Sequence, residues 1–151
     1  MSKKTIYNAK DVQEIIARID KLDVNSIRLW GKMDTAQMLR HCYLGVQSAK
    51  GEVQVKRVLM SYLIGPMVKN LFLKGKPYPR NAATGKELVV TVQLELDTER
   101  NKLKDILHAF QQAGEAGCTK EPHGFFGKLT PAEWGILQYK HLDHHLQQFS
   151  N

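Results

Sequence analysis

Two cysteines in 151 residues leave little room for covalent bracing. Cys42 and Cys118 fit neither a disulfide framework nor a cysteine-pair zinc site, and a pair of thiols suits a reducing compartment. No run of about 18 apolar residues occurs, and the opening MSKKTIYNAK lacks an apolar leader core. A soluble, cytoplasmic chain with no membrane partner is therefore expected. Repeats, low-complexity tracts and linkers are also missing, so residues 1–151 are expected to form a single domain. Phosphate-binding loops, dinucleotide fingerprints and nucleophile triads are equally absent, which removes the commonest motif-borne chemistries.

What the sequence does have is charge of one sign and helical signals. The formal charge is +7, which favours anionic partners in general. Its cations run from Lys3 to Lys140, with a modest cluster at Lys69, Lys74, Lys76 and Arg80, and no nucleic-acid motif accompanies them. They read as a solvated basic surface, and no specific nucleic-acid partner is expected.

Val12, Ile15, Ile16 and Ile19 mark a first helix over Asn8–Leu22. Asp34 followed by Gln37 is a capping box that opens a second helix, ending near Lys50. A third helix over Val55–Leu73 is very apolar, and Gly65-Pro66 should kink or split it. A long loop follows over Lys74–Lys86. Leu88–Leu96 alternates like a strand, but nothing offers it a partner, so it is expected as an extended crossover. Asp97 or Thr98 caps a fourth helix to about Gly114. Thr130, Pro131 and Glu133 then open a final helix with a hydroxyl cap, a proline at its first position and a reciprocal glutamate. The fold class expected is all-α: a helical bundle with long crossover connections and an extra short helix or extended segment.

The chemistry concentrates on the final helix. Residues four apart share a helical face, so His141 and His145 can turn both imidazoles to one ion. Two nitrogens hold a metal poorly. His41, on the second helix, is the natural third, with Gly45 one turn on to leave clearance. Three neutral imidazoles leave a coordination position open, as in catalytic rather than structural zinc sites. Trp134, Leu137, Gln138 and Gln148 share the broad face of these histidines, while Trp30 and Met38 are expected to line the site. Gln37, Gln138 and Gln148 are the polar neighbours available to orient the ligand rings. His144 departs from the shared direction and reads as a supporting residue, a proton shuttle or exposed. His123 sits in a loop between aromatics and could approach the site or simply be polar. His108 falls on a polar face. Cys42 points away from His41 and reads as packing.

Trp30-Gly31-Lys32-Met33, Gln37-Met38-Leu39-Arg40-His41, His123-Gly124-Phe125-Phe126-Gly127, and Glu133-Trp134 through His141-Leu142-Asp143-His144-His145 to Gln148-Phe149 together resemble the DinB-like (DinB/YfiT) superfamily of metal-binding four-helix bundles. The likeness spans roughly Leu29–Phe149 and departs at Gly124, where relatives often have proline. It implies a divalent ion, zinc or nickel, held by one histidine of the second helix and two of the last, which fall on His41, His141 and His145. These are the three that the spacing selects. It also implies activities such as conjugation of low-molecular-weight thiols to electrophiles, or hydrolysis. The readings carried forward are a metal-dependent thiol S-transferase or metal-activated hydrolase; a metal-binding or stress-related interaction protein without turnover; and, third, a nucleic-acid-associated factor. The partners these imply are a small thiol and an electrophile, with a homodimer as the allowed oligomer.

Overall fold

The computed structural model describes residues 3–149 and contains five α-helices and no strand among them. These are α1 (Ala9–Asp20), α2 (Thr35–Lys50), α3 (Leu59–Leu73), α4 (Leu96–Ala113) and α5 (Pro131–Gln147). Single 3-10 turns stand at Lys86–Leu88 and Gly114–Gly117. The all-helical expectation holds.

Caps set the boundaries. Asn8 accepts from the amides of Lys10 and Asp11 to start α1. Asp34 and Gln37 form a reciprocal capping box on α2, and Thr130 and Glu133 form another on α5. Gly51 ends α2 in the left-handed conformation that glycine adopts without strain. The α4 cap differs from expectation. Glu95 takes the role given to Asp97 or Thr98, its carboxylate accepting from both of those amides.

Apolar faces of α1, α2, α4 and α5 meet in one cluster containing Ile15, Ile19, Met38, Leu39, Val46, Leu103, Leu107, Phe110, Leu137, Leu142 and Leu146. Burial of large side chains at about 1.5–3 kcal/mol each is the main force holding these helices together. Ion pairs add orientation: Arg40 forks onto Glu99 at 2.5 and 2.7 Å between α2 and α4. Arg18 reaches Asp143 at 2.6 Å between α1 and α5.

The segment expected as a helix from Val55 departs at its start. Residues 53–58 are non-helical and α3 begins only at Leu59. It then runs through Pro66 as one helix, so of the kink or split expected there the split does not occur. Tyr62, whose carbonyl the proline leaves unpaired, is exposed together with Pro66, so water can take that bond. Most of α3 lies outside the core. Ser61, Gly65 and Phe72 are its buried residues, while Leu59, Met60, Leu63 and Met67 lie outside. Gly65 is required because a Cβ there would collide with the Phe125 carbonyl.

Of the crossover expected over Leu88–Leu96, residues 89–95 are neither helical nor paired, while Leu88 ends the 3-10 turn and Leu96 begins α4; Val89 and Val92 are more than half exposed. The connector before α2 is pinned to the end of the chain: Leu29 N donates to the Gln148 carbonyl at 2.8 Å, beside a single Arg28–Phe149 bridge. This lays Trp30 and Gly31 against the last turn of α5, where the histidines are. No helix of the described residues is long and apolar enough to cross a membrane.

Candidate metal centre

The capping box of α2 fixes its phase, and with it His41, which is 3% exposed and faces α5. His141 and His145, one turn apart on α5, meet it. His41 Nε2 lies 3.0 Å from His141 Nε2, and one ring nitrogen from each of the three lies within 4.8 Å of the others. Metal–nitrogen bonds of about 2.0–2.1 Å put the nitrogens of one zinc ion roughly 3.3 Å apart. The three are therefore near ligating separation, and this cluster can hold a metal ion.

The far side of each ring decides which nitrogen faces inward. His41 Nδ1 lies 2.8 Å from the Leu88 carbonyl, which can only accept, so Nδ1 carries the proton and Nε2 is a lone pair. Gln148 does the same for His145. Its Nε2 donates to the Trp30 carbonyl at 2.8 Å, which fixes the amide orientation and leaves Oε1 to accept from His145 Nδ1 at 2.9 Å. Gly31 makes this possible: its φ is +81°, and a Cβ there would strike Gln148 Nε2.

His141 is different. Because His41 Nε2 has no proton, the 3.0 Å contact makes His141 Nε2 the donor and leaves His141 Nδ1 bare. That Nδ1 is buried without a partner, and so is Gln138 Oε1. Both border the space at Gly45, where a Cβ would stand 3.1 Å from His141 Nδ1 and 3.5 Å from Gln138 Oε1. A cation drawing on His141 Nε2 requires the proton on Nδ1, and the unpaired Gln138 Oε1 borders the same space. The two unpaired atoms thus fit a metal-ligating His141, and an unpaired buried acceptor or donor costs about 1–3 kcal/mol without such a use.

Burial lowers the pKa of all three imidazoles, and for His141 the neighbouring histidines lower it further. His145 is pushed down to about 3. All are neutral at physiological pH, the form that ligates. The acceptors behind His41 and His145 are a backbone carbonyl and an amide, and neither offsets a cation's charge.

Other residues named from the sequence fall in different places. Gln37 does not orient His41: its side chain is divided between the Asp34 amide and the Val92 carbonyl. The capping box claims it, and the Leu88 carbonyl takes its place. His123 Nδ1 accepts from the amides of Phe125 and Phe126 at 3.0 and 3.1 Å, holding the loop's own turn. Its ring is packed by Phe126 and by Trp134, whose indole is 5.0 Å away. Trp134 and Met38 are buried in the core, with Met38 against Cys42. His144 stays outside the trio, its ring 5.6 Å from Trp30 and 5.8 Å from Tyr78. His108 is exposed. Trp30 carries the Arg80 guanidinium on its face at 4.2 Å.

Three contributors were not visible beforehand. The Leu88 carbonyl has no side-chain signature. Tyr78, stacked on Phe72 at 4.6 Å and 6.1 Å from His141, lay in a loop of no evident pattern. The reason for Gly31 lies in a residue 117 positions later, although the Trp-Gly-Lys-Met motif marked its place.

The family model described as "Protein of unknown function (DUF1569)" matches residues 1–151, and the chain belongs to that family. No curated protein and no solved structure matches it.

Proposed function

Membership of that family passes on no activity, and from the site itself we propose that the chain binds one divalent ion, zinc or nickel, through His41, His141 and His145 and acts as a metal-dependent enzyme. The carrying observation is the set of acceptors behind the ligands. The Leu88 carbonyl and Gln148 hold His41 and His145 with Nε2 free, and the unpaired Gln138 Oε1 borders the same space as the unpaired His141 Nδ1. Bound there, a divalent ion supplies Lewis acidity, lowering the pKa of a thiol or water in its remaining position. The chain's part is to present three neutral nitrogens, keep their tautomers, and enclose the site with Leu88 and Tyr78. Neutral acceptors leave the cation's charge undiminished, which suits ionisation of a weakly acidic nucleophile.

The resemblance to the DinB-like superfamily narrows this to transfer of a small thiol to an electrophile, with hydrolysis as the variant that uses water. The test is to load the metal-free protein with nickel and titrate small thiols. A sulfur-to-nickel charge-transfer band that saturates with thiol supports the reading. A fully loaded site that exchanges neither thiol nor water would leave the second reading, metal binding without turnover. That reading is favoured by enclosure, since His41 is 3% exposed.

A further inference from the structure

Arg80 is the one arginine without a protein acceptor among the described residues. Arg18 and Arg40 pair with Asp143 and Glu99. Arg28, Arg57 and Arg100 donate to backbone carbonyls. The Arg80 guanidinium lies instead over the Trp30 ring at 4.2 Å, a contact that uses none of its N–H donors. A planar fork of donors is thus held in place on an aromatic face and left open at its edges.

The loop that carries Arg80 lies against the histidine trio. Tyr78, two residues earlier, covers His141 with ring centres 6.1 Å apart, and residues two apart have Cα atoms within about 7 Å. Trp30, under the guanidinium, is 5.6 Å from the His144 ring, which is 5.1 Å from that of His145. Asn81 follows with φ at +57°, its Oδ1 bordering Gly31. Arg80 therefore stands exposed at the rim of the trio, on the side of Trp30 and His144.

Charge then indicates what the rim accepts. Asp143, the acid between the two ligands of α5, is committed to Arg18 at 2.6 Å and to Gln147 at 2.7 Å. The trio itself is neutral. A loaded site thus presents the charge of the ion together with that of Arg80. A reactant that brings a thiolate alone leaves the guanidinium unmatched, whereas one that also brings a carboxylate matches both cations. Guanidinium and carboxylate fit edge to edge through two parallel N–H···O bonds.

We propose that Arg80 is a specificity residue of this site, and that the small thiol it selects is an acid, whose carboxylate pairs with Arg80 while its sulfur reaches the histidine trio. This rests on the thiol-transfer reading and adds to it the chemical class of the thiol.

The probes are mercaptopropionate and the longer mercaptohexanoate, each beside its own amide, titrated into nickel-loaded protein and read by sulfur-to-nickel charge transfer. At least one acid should bind roughly tenfold more tightly than its amide, the low end for a hydrogen bond to a charged group. Arg80→Gln should remove most of that preference. Arg80→Lys, which keeps the charge without the fork, should retain part of it. The acid-to-amide ratio is taken on the same loaded protein, so any change in nickel affinity cancels. Equal affinity for acids and amides, or a preference that survives Arg80→Gln, would overturn the proposal and leave the thiol reading standing. A loaded protein that gives no charge-transfer band with any of these thiols would overturn both.

Discussion

Replacing Gly31 by alanine separates the support of the metal site from the ligands themselves. Gly31 holds φ at +81°, a conformation that costs a residue with a Cβ about 1–2 kcal/mol. The new methyl would also displace the Gln148 amide, breaking its 2.8 Å bond to the Trp30 carbonyl, worth about 1 kcal/mol. The sum is about 2–3 kcal/mol, or a melting temperature lower by roughly 5–10 °C for a chain of this size. Moving Gln148 also frees His145 to rotate and to change tautomer. Losses of roughly 10–100-fold in metal affinity follow removal of such support. Competition against a chromophoric chelator, beside a thermal melt, reads both effects. Gln148→Ala is the partner experiment, because it removes the acceptor and leaves the backbone at Gly31 untouched. It should weaken metal binding to a similar degree with a smaller loss of stability. If Gly31→Ala binds metal as tightly as wild type, the assignment of Gln148 as the support of His145 is refuted.

Gly45→Ala should divide differently. Alanine gains about 1 kcal/mol of helix propensity, but its Cβ would stand 3.0 Å from the His141 ring. Chelator competition should therefore show weaker metal binding in a protein whose urea midpoint is unchanged or higher. The buried histidines also set a pH dependence. Burial lowers the pKa of His41, His141 and His145, and that of His123 to about 4, so below about pH 6.5 the unfolded chain takes up protons that the native state refuses. Stability of the metal-free protein should be flat above about pH 7 and then fall with decreasing pH, by up to about 1.4 kcal/mol per unit for each such histidine; equal urea midpoints at pH 7.5 and pH 5.5 would contradict this. Arg40→Ala leaves the Glu99 carboxylate, whose side chain is 2% exposed, with only the looser Lys102 contact at 3.5 Å, and should cost about 1–3 kcal/mol, seen as an earlier urea midpoint with metal affinity little changed.

Most of this architecture was readable because its determinants are local. Asp34 with Gln37, and Thr130 with Glu133, announce two helix starts by spacing alone, and the four-residue interval of His141 and His145 follows from helical geometry. Gly45 was singled out because glycine in mid-helix is costly. Where the reading failed, the deciding partner was distant. Gln37 had two uses at its position, and only the structure shows that the cap and the Val92 carbonyl take both of its ends. The Leu88 carbonyl reaches His41 across 47 residues as backbone, which no side-chain pattern encodes. The start of helix α3 was misplaced because Val55 continues the apolar spacing and no capping side chain marks the true beginning, where Val58 makes no cap hydrogen bond.

The central claim is that the histidine trio binds a metal ion, and it is tested most directly by counting the metal. Protein purified without an affinity tag, stripped and reloaded with zinc or nickel, should carry about one ion per chain by elemental analysis. His41→Ala, His141→Ala and His145→Ala should each weaken that binding by orders of magnitude, while His144→Ala, on the Trp30 and Tyr78 side, should not. Wild-type protein that retains no ion, or binding that survives loss of His145 but not of His144, would contradict the account.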